Sequence, residues 1–335
     1  MKPANSIKLI DGSQLAHVAR SIHLFRHGKE SEELRAPNGQ LTTVLKGTLN
    51  ILGSIAKQFG GENIIVAYDG TTPSWRYDIY PTYKGGLKPR NDQSDFSIQL
   101  RDMPQHLRAF GISTVQTNSL EADDILALLA ERADLKDRNK ILVSDDRDLL
   151  AYVGPSTFCY SQKIKTLVGP TNFEEYTKKL FKLKTGVPIG AWSVFRAMVG
   201  DSSDNIKGIS NCGPSTAADV ISDLTQNGVV LSGYNQGFEN IQEQVNTCWP
   251  TLGKKAHQLL DAKGLQELRE AYTLVQVASA PAQERKQLES VDLQCERPTE
   301  ASVVEKLKEL GFMQWVDDKK WISRFSSNEP ELPTI

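Results

Sequence analysis

The fold class is decided by the stretch Ile64-Ile65-Val66-Ala67-Tyr68-Asp69-Gly70, an apolar run that ends abruptly in Asp-Gly. Residues 7–12 repeat the pattern, with an apolar run that ends in Asp11-Gly12. Short apolar runs bounded by turn residues are typical of buried strands. Residues 112–115 and 140–143 form two more such runs, and helical patterning fills the chain between them. This alternation predicts an α/β fold with a mostly parallel, doubly wound sheet.

Composition places the chain among soluble globular proteins. Its 335 residues can form two domains, and 39% hydrophobic and 24% charged residues fit neither a disordered nor a membrane protein. No apolar run approaches the roughly 20 residues needed to span a bilayer. The first residues lack the apolar core of a signal peptide. We therefore expect a cytoplasmic protein without membrane contact. The four cysteines form no CxxC pair, which indicates reduced, structural residues.

Acidic residues collect where the predicted strands end. Ligands of open α/β sheets lie outside the carboxyl ends of the strands, so these acids should meet at one edge. Each acid alone fits a helix cap or a turn. Together they would repel one another, and hard divalent cations relieve such repulsion. Oxygen ligands favour magnesium or manganese. The candidate ligands are Asp11, Asp69, Glu121, Asp123, Asp124, Asp146, Asp148, Asp201 and Asp204.

So many acids exceed the needs of one ion. Two ions about 3.5–4 Å apart can clamp the attacking and leaving oxygens of a phosphodiester displacement. The sequence contains no Walker loop, GxSxG elbow or GxGxxG motif, which argues against nucleotide hydrolysis through a phosphate-binding loop and against serine hydrolysis. The acids therefore predict metal-dependent phosphodiester chemistry.

Helical patterning dominates beyond residue 154, and we place a domain boundary at Gly186-Val187-Pro188. Residues 1–186 would form the catalytic domain and residues 187–325 a helical domain. Residues 225–240 are rich in Gly, Asn and Gln and predict a loop, and residues 326–335 predict a loose tail. The polar segment from Trp75 to Arg108 carries a net charge of about +2 and contains helix-breaking glycines and Pro89.

Six motifs resemble those of the 5′-nuclease superfamily, which comprises the 5′-3′ exonuclease domain of bacterial DNA polymerase I and the free-standing flap endonucleases of bacteria and phages. They occur in family order over residues 7–220. The motifs are Ile10-Asp11-Gly12, Tyr68-Asp69-Gly70, Arg76 with Tyr80-Pro81-Thr82-Tyr83-Lys84, Glu121-Ala122-Asp123-Asp124, Asp146-Arg147-Asp148, and the stretch Gly200-Asp201-Ser202-Ser203-Asp204-Asn205-Ile206.

The resemblance implies a PIN-like core with a helical arch at about residues 83–108. A helix-three-turn-helix motif that grips duplex DNA would follow at about residues 200–222. It also implies two magnesium ions, for which manganese can substitute. Asp124 would be shared or act indirectly. By match, Asp11, Asp69, Glu121 and Asp123 would serve mainly the first ion, and Asp146, Asp148, Asp201 and Asp204 the second.

Further roles follow from the same resemblance. Lys84 and Arg76 would contact the scissile phosphate, and Tyr83 would stack on a terminal base. The residues expected to contact DNA are Tyr83, Arg90, Gly208, Ile209, Gly213 and Ser215. The family also holds a potassium ion at the turn 208–214. There the chain departs from the family pattern, because Ser210, Asn211 and Ser215 replace its Pro, Gly and Lys; Asp145 likewise replaces a Gly.

We therefore expect a structure-selective 5′-3′ exonuclease and flap endonuclease of replication or repair. Its substrates would be branched or 5′-ended DNA, with the RNA of RNA–DNA hybrids as a further candidate. A PIN-type ribonuclease and a non-catalytic DNA-binding relative are the alternatives. We expect a monomer, located in the host cytoplasm if phage-encoded, with a single-strand-binding or replisome protein as a candidate partner. Because no polymerase domain is present, a stand-alone or phage-type enzyme is favoured over a polymerase fragment.

Overall fold

A six-stranded sheet forms the centre of the molecule. The computed structural model describes residues 6–28, 32–86, 94–233, 236–276 and 280–327. The strands of the sheet are β1 (Ile7–Asp11), β2 (Ile64–Tyr68), β3 (Ser113–Gln116), β4 (Lys140–Val143), β5 (Thr157–Ser161) and β6 (Thr166–Val168). Their order is β3-β2-β1-β4-β5-β6. The first five run parallel, and β6 lies antiparallel to β5. The predicted mostly parallel α/β sheet is confirmed.

Helices cover both faces of the sheet. Those that alternate with the strands are α1 (Gly12–His27), α2 (Thr43–Phe59), α3 (Arg76–Ile79), α4 (Asp95–Arg108) and α5 (Ala122–Glu131). Those that follow the sheet are α6 (Phe173–Phe181), α7 (Trp192–Val199), α8 (Pro214–Gln226), α9 (Phe238–Cys248), α10 (Lys254–Leu259), α11 (Ala262–Val275), α12 (Ala282–Glu289), α13 (Glu300–Glu309), α14 (Met313–Val316) and α15 (Lys319–Ile322). Within the described ranges, no helix is long and apolar enough to cross a bilayer.

Alternate residues of β1 enter two different hydrophobic cores. Leu9 packs into the core that contains α5, α7, α8 and α11, whereas Ile10 packs into the core that contains α1, α2 and α13. A parallel sheet covered on both faces has buried strands, which explains why β1 and β2 are buried along their whole length. The helices after residue 187 contribute to both cores. The proposed domain boundary at residues 186–188 stays a prediction.

The element limits agree with the sequence expectations to within a few residues. Strand β3 begins at Ser113, one residue later than predicted. The predicted loop at 225–240 corresponds to the connection between α8 and α9. Of the predicted arch, the structure describes a short 3₁₀ turn at Tyr83–Gly85 and the helix α4. Arg90 lies outside the described residues.

A two-stranded hairpin joins α7 to the turn before α8. It consists of β7 (Gly200–Asp201) and β8 (Ile206–Lys207), which pair antiparallel. The hairpin loop contacts the turn at Tyr83–Gly85. The backbone N–H of Lys84 donates to the carbonyl of Asp204 at 2.9 Å, and the Asn205 side chain donates to the carbonyl of Thr82 at 2.8 Å. These bonds fix the predicted helix-three-turn-helix segment against the sheet domain.

Gly200 should tolerate no side chain. Its φ is +74°, and an added Cβ would lie 2.4 Å from the backbone nitrogen of Gly208. We expect Gly200→Ala to lower the free energy of unfolding by about 2–4 kcal/mol, measured by urea denaturation. Gly213 is the control because its φ is negative and its Cβ would meet no atom within 4 Å. Gly213→Ala should cost less than about 1 kcal/mol. Equal losses would contradict this account of the hairpin.

Candidate active site

Hydrogen bonds fix the acids that stand at the ends of β1 and β2. Asp11 ends β1 and caps α1, where its carboxylate accepts a hydrogen bond from the Gln14 N–H at 2.8 Å. Asp69 follows β2, and its backbone N–H donates to the Ser13 hydroxyl at 3.0 Å. The Asp69 carboxylate in turn accepts from the Ala122 N–H at 2.9 Å, at the start of α5. The predicted meeting of Asp-Gly strand ends at one edge therefore occurs in the fold.

The start of α5 holds the tightest group of acids. Ligand oxygens of Glu121, Asp123 and Asp124 all lie within 4.8 Å of one another. Asp124 closes a capping box, because its carboxylate accepts from the Glu121 N–H at 3.1 Å. Acids are also favoured in this first helical turn by the helix dipole. Local helix chemistry and a potential cation site therefore use the same residues.

Arg76 lies beneath this group and faces inward. Its side chain is 3% exposed and forms a bidentate pair with Asp124, at 2.7 and 2.8 Å. It also donates to Glu121 at 2.8 Å and to the Leu274 carbonyl at 2.9 Å. Burial opposes the guanidinium charge, but Asp124 holds the pKa of Arg76 well above its usual range. This placement differs from the expected contact with a scissile phosphate, because these bonds direct the guanidinium toward acids of the protein.

Tyr83 also points inward, although stacking on a terminal base was expected of it. Its ring is 1% exposed, and its hydroxyl contacts Glu121 at 2.9 Å and Asp204 at 3.0 Å. Burial raises the pKa of Tyr83, so its phenol stays protonated and donates to these carboxylates. Tyr83 thus bridges an acid of α5 and an acid of the β7–β8 hairpin.

Lys84 extends over the acids from a left-handed backbone, with φ of +48°. Its ammonium lies 2.5 Å from Glu121, while 42% of its side chain remains exposed. Burial opposes the charge, but Glu121, Asp123 and Asp204 raise the pKa of Lys84. Despite burial, the charges of Arg76 and Lys84 lower the pKa of Glu121. Lys84 is therefore a charged group that both touches the acidic cluster and reaches solvent.

A second arginine pairs with two acids outside the group at the start of α5. Arg196 projects from α7 and is 3% exposed. Its guanidinium pairs with Asp148 at 2.6 Å and also with Asp201. Asp201 further accepts from the Ser203 N–H at 2.8 Å. Sequence reasoning missed Arg196, although a single arginine within the apolar run Trp192 to Val199 was an available signal.

Electrostatics link the acids into one site. Burial, followed by repulsion from Asp69 and Asp146, raises the pKa of Asp11 to about 7. Burial and the neighbouring Asp148 and Asp204 likewise raise the pKa of Asp146 to about 7. Burial, Asp124 and Glu121 raise the pKa of Asp123 well above its usual range. The acids outnumber the cationic side chains Arg76, Lys84 and Arg196 that pair with them, so part of the carboxylate charge has no cationic partner among these side chains. Carboxylate oxygens are hard donors, and a group of them with this unpaired negative charge suits divalent cations.

The turn between β8 and α8 is a separate feature, predicted to contact DNA. Gly208 and Ile209 begin it, Gly213 caps α8, and Ser215 is exposed in the first turn of that helix. Asn211 occupies the family's glycine position with φ of +63°, a conformation that asparagine tolerates.

The 5′-3′ exonuclease N-terminal resolvase-like domain family matches residues 6–199, more than half of the chain. The chain therefore belongs to this nuclease family, within the 5′-nuclease superfamily.

Bacterial DNA polymerases I are similar in sequence to this chain. DNA polymerase I of Pseudomonas aeruginosa is 25% identical over 311 residues, which cover 92% of this chain and 31% of the polymerase. DNA polymerase I of Lactococcus lactis is 27% identical over 249 residues, covering 74% and 26%. The chain thus spans only about a quarter to a third of these relatives.

Solved structures share the fold. The D15 protein of bacteriophage T5, crystallised with metal ions, has a TM-score of 0.61 and 17% identity, covering 85% of this chain and 97% of its own. Flap endonuclease-1 from Methanococcus jannaschii has a TM-score of 0.51 and 13% identity, covering 96% and 92%.

Removal of Arg76 should destabilise the protein, because Asp124 would remain buried without its partner. We expect Arg76→Met to lower the free energy of unfolding by about 3–5 kcal/mol in urea denaturation. Arg101→Met is the control, since Arg101 is 68% exposed and its acidic neighbour lies 3.7 Å away. That change should stay within about 0.5 kcal/mol. A stable, folded Arg76→Met variant would show that Arg76 is not the anchor of this cluster.

Proposed function

We propose that this protein is a magnesium-dependent, structure-selective 5′-3′ exonuclease and flap endonuclease that hydrolyses DNA phosphodiesters in replication or repair. The observation that carries the proposal is the group of acids at the carboxyl edge of the sheet, with the exposed ammonium of Lys84 beside it. Family membership supports the nuclease activity. The T5 neighbour crystallised as a complex with DNA and metal ions supports the substrate class.

The proposed ligands form two groups. Asp11, Asp69, Glu121 and Asp123 would hold one magnesium ion, and Asp146, Asp148, Asp201 and Asp204 the other. The bridge from Arg196 to both Asp148 and Asp201 supports placing these two acids together. When bound, the two ions supply an activated water and neutralise charge on the attacking and leaving oxygens.

The cationic side chains have different roles in this proposal. Lys84 meets the scissile phosphate and stabilises its developing charge, because it is both protonated and partly exposed. Arg76 and Tyr83 act as positioning residues, since each is buried and bonded to the acids. Asp124 holds Arg76 and acts on the metal site through Glu121. These roles revise the phosphate contact expected of Arg76 and the base stacking expected of Tyr83.

Duplex DNA would lie against the helical part of the chain, residues 187–325. The turn 208–215 would contact the DNA backbone without reading sequence, as phosphate contacts do. The potassium ion at this turn, the RNA–DNA hybrid substrate, the monomeric state, the cytoplasmic location and a replisome partner stay predictions.

Cleavage assays with the purified chain test the proposal. Labelled 5′-flap DNA, nicked duplex and single-stranded RNA are incubated with magnesium or with EDTA. We expect magnesium-dependent cleavage near the flap junction and none with EDTA. Absence of cleavage of every DNA substrate would overturn the proposal. Preferential cleavage of RNA would instead indicate a PIN-type ribonuclease, and binding without cleavage a non-catalytic relative.

Asp146→Asn and Asp201→Asn should separate chemistry from binding. Each removes a charged metal ligand, so flap cleavage should fall more than about 100-fold. Binding measured by fluorescence anisotropy should persist, because phosphate contacts made elsewhere remain. Asp137→Asn serves as the control, since Asp137 is exposed and precedes β4 at the opposite edge of the sheet. Equal loss of cleavage and binding would point to a folding role for the two acids.

Lys84→Met should slow the chemical step. Methionine keeps an unbranched aliphatic side chain but lacks the ammonium, which lies 5.2 Å from the centroid of the Tyr83 ring. We expect the single-turnover rate to fall about 100- to 1000-fold while DNA affinity changes by less than about threefold. Lys308→Met, at an exposed position on α13, should leave the rate unchanged. A wild-type single-turnover rate for Lys84→Met would remove Lys84 from the mechanism.

A further inference from the structure

The turn that precedes α8 contains a pair of hydrogen-bond donors occupied by an acid of the same chain. The backbone N–H of Ser210 donates to Glu267 at 2.7 Å, and the Ser210 hydroxyl donates to the other oxygen of that carboxylate at 2.8 Å. Lys263, one helical turn earlier on α11, lies 3.5 Å from Glu267. Ser210 is exposed, and the Glu267 side chain is 24% exposed. The arrangement is a two-donor receptor for an anion, open to solvent on one side.

A carboxylate and a phosphodiester present similar groups to such a receptor. Both offer two acceptor oxygens that share one negative charge, and both form charge-assisted hydrogen bonds with N–H and O–H donors. The receptor lies at the entry to α8, where the helix dipole favours anions. The first turn of α8, which the structure describes completely, contains no acid. The negative charge at this turn is therefore supplied by Glu267 on α11 and not by the first turn of α8.

The sequence of this turn gives the contact its significance. Ser210 stands where the family pattern has proline, and proline lacks the N–H that Glu267 accepts. Ser215 stands where that pattern has lysine. At these two positions the chain therefore has the neutral donors of Ser210 and no cation at Ser215. The acid opposite those donors competes for them with any incoming phosphate.

We propose that Glu267 is an affinity-determining residue that occupies a backbone-phosphate site formed by Ser210 and Lys263. DNA binding displaces the carboxylate, after which the Ser210 N–H and hydroxyl donate hydrogen bonds to phosphate oxygens and Lys263 supplies a countercharge. The acid thereby weakens binding to DNA that engages this turn incompletely. The inference rests on the proposed function, because it assumes that duplex DNA contacts the turn.

Two substitutions at Glu267 distinguish competition with DNA phosphate from a purely structural role of this acid. Glu267→Gln keeps an oxygen that can accept from Ser210 but removes the negative charge. Glu267→Ala removes both. Glu270→Gln is the matched control, because Glu270 lies on the same helix, is exposed and bonds to Gln266. Each variant is titrated with labelled flap DNA in calcium-containing buffer, at several salt concentrations, with fluorescence anisotropy as the readout.

We expect Glu267→Gln to bind DNA about 3- to 10-fold more tightly than wild type at low salt, with a steeper salt dependence because Lys263 gains a phosphate contact. Glu270→Gln should stay within about twofold of wild type, since Glu270 bonds to Gln266 and not to the donor pair. Adding Ser210→Pro to Glu267→Gln should abolish the gain.

Unchanged or weaker binding by Glu267→Gln, beside a wild-type protein that binds and cleaves DNA, would overturn the inference and leave the proposed function standing. Weaker binding by both Glu267 variants would identify the acid as a structural brace. If neither wild type nor Glu267→Gln bound DNA, the inference and the proposed function would both fail.

Discussion

Charge compensation at the carboxyl edge of the sheet is the constraint on which the rest of the structure depends. A parallel sheet brings the ends of β1, β2 and β4 together, so acids that follow these strands crowd one another. Two buried arginines offset part of the charge, Arg76 beside α5 and Arg196 beneath the hairpin. Burial and then repulsion between the acids raise the pKa values of Asp11 and Asp146, and the acids at this edge outnumber the cationic side chains that pair with them. Divalent cations would supply the positive charge that the site lacks.

The same contacts connect chemistry to the proposed DNA grip. The β7–β8 hairpin carries Asp201 and Asp204 toward the sheet and continues directly into the turn before α8. Tyr83 and Lys84 bind this hairpin from the other side, through the side chain and backbone of Asp204. The acids of the hairpin and the turn before α8 therefore lie on one short, continuous segment of the chain.

The strands, the acids and their common edge were predictable because each depends on local patterns and on the geometry of parallel sheets. The inward orientation of Arg76 was not, because it depends on Leu274, which lies 198 residues away in the chain. The pair of Ser210 and Glu267 joins residues 57 positions apart and had no sequence signal. Tertiary packing decides such side-chain directions, so motifs predicted which acids gather at the sheet edge but not which way the neighbouring side chains point.

The central claim is that this edge of the sheet binds two catalytic cations, and anomalous diffraction from crystals grown with manganese tests it most directly. Two anomalous peaks about 3.5–4 Å apart are expected, one near Asp11 and Glu121 and one near Asp146 and Asp201. A single peak at this edge, peaks elsewhere in the molecule, or no ordered manganese at saturating concentration would contradict the account.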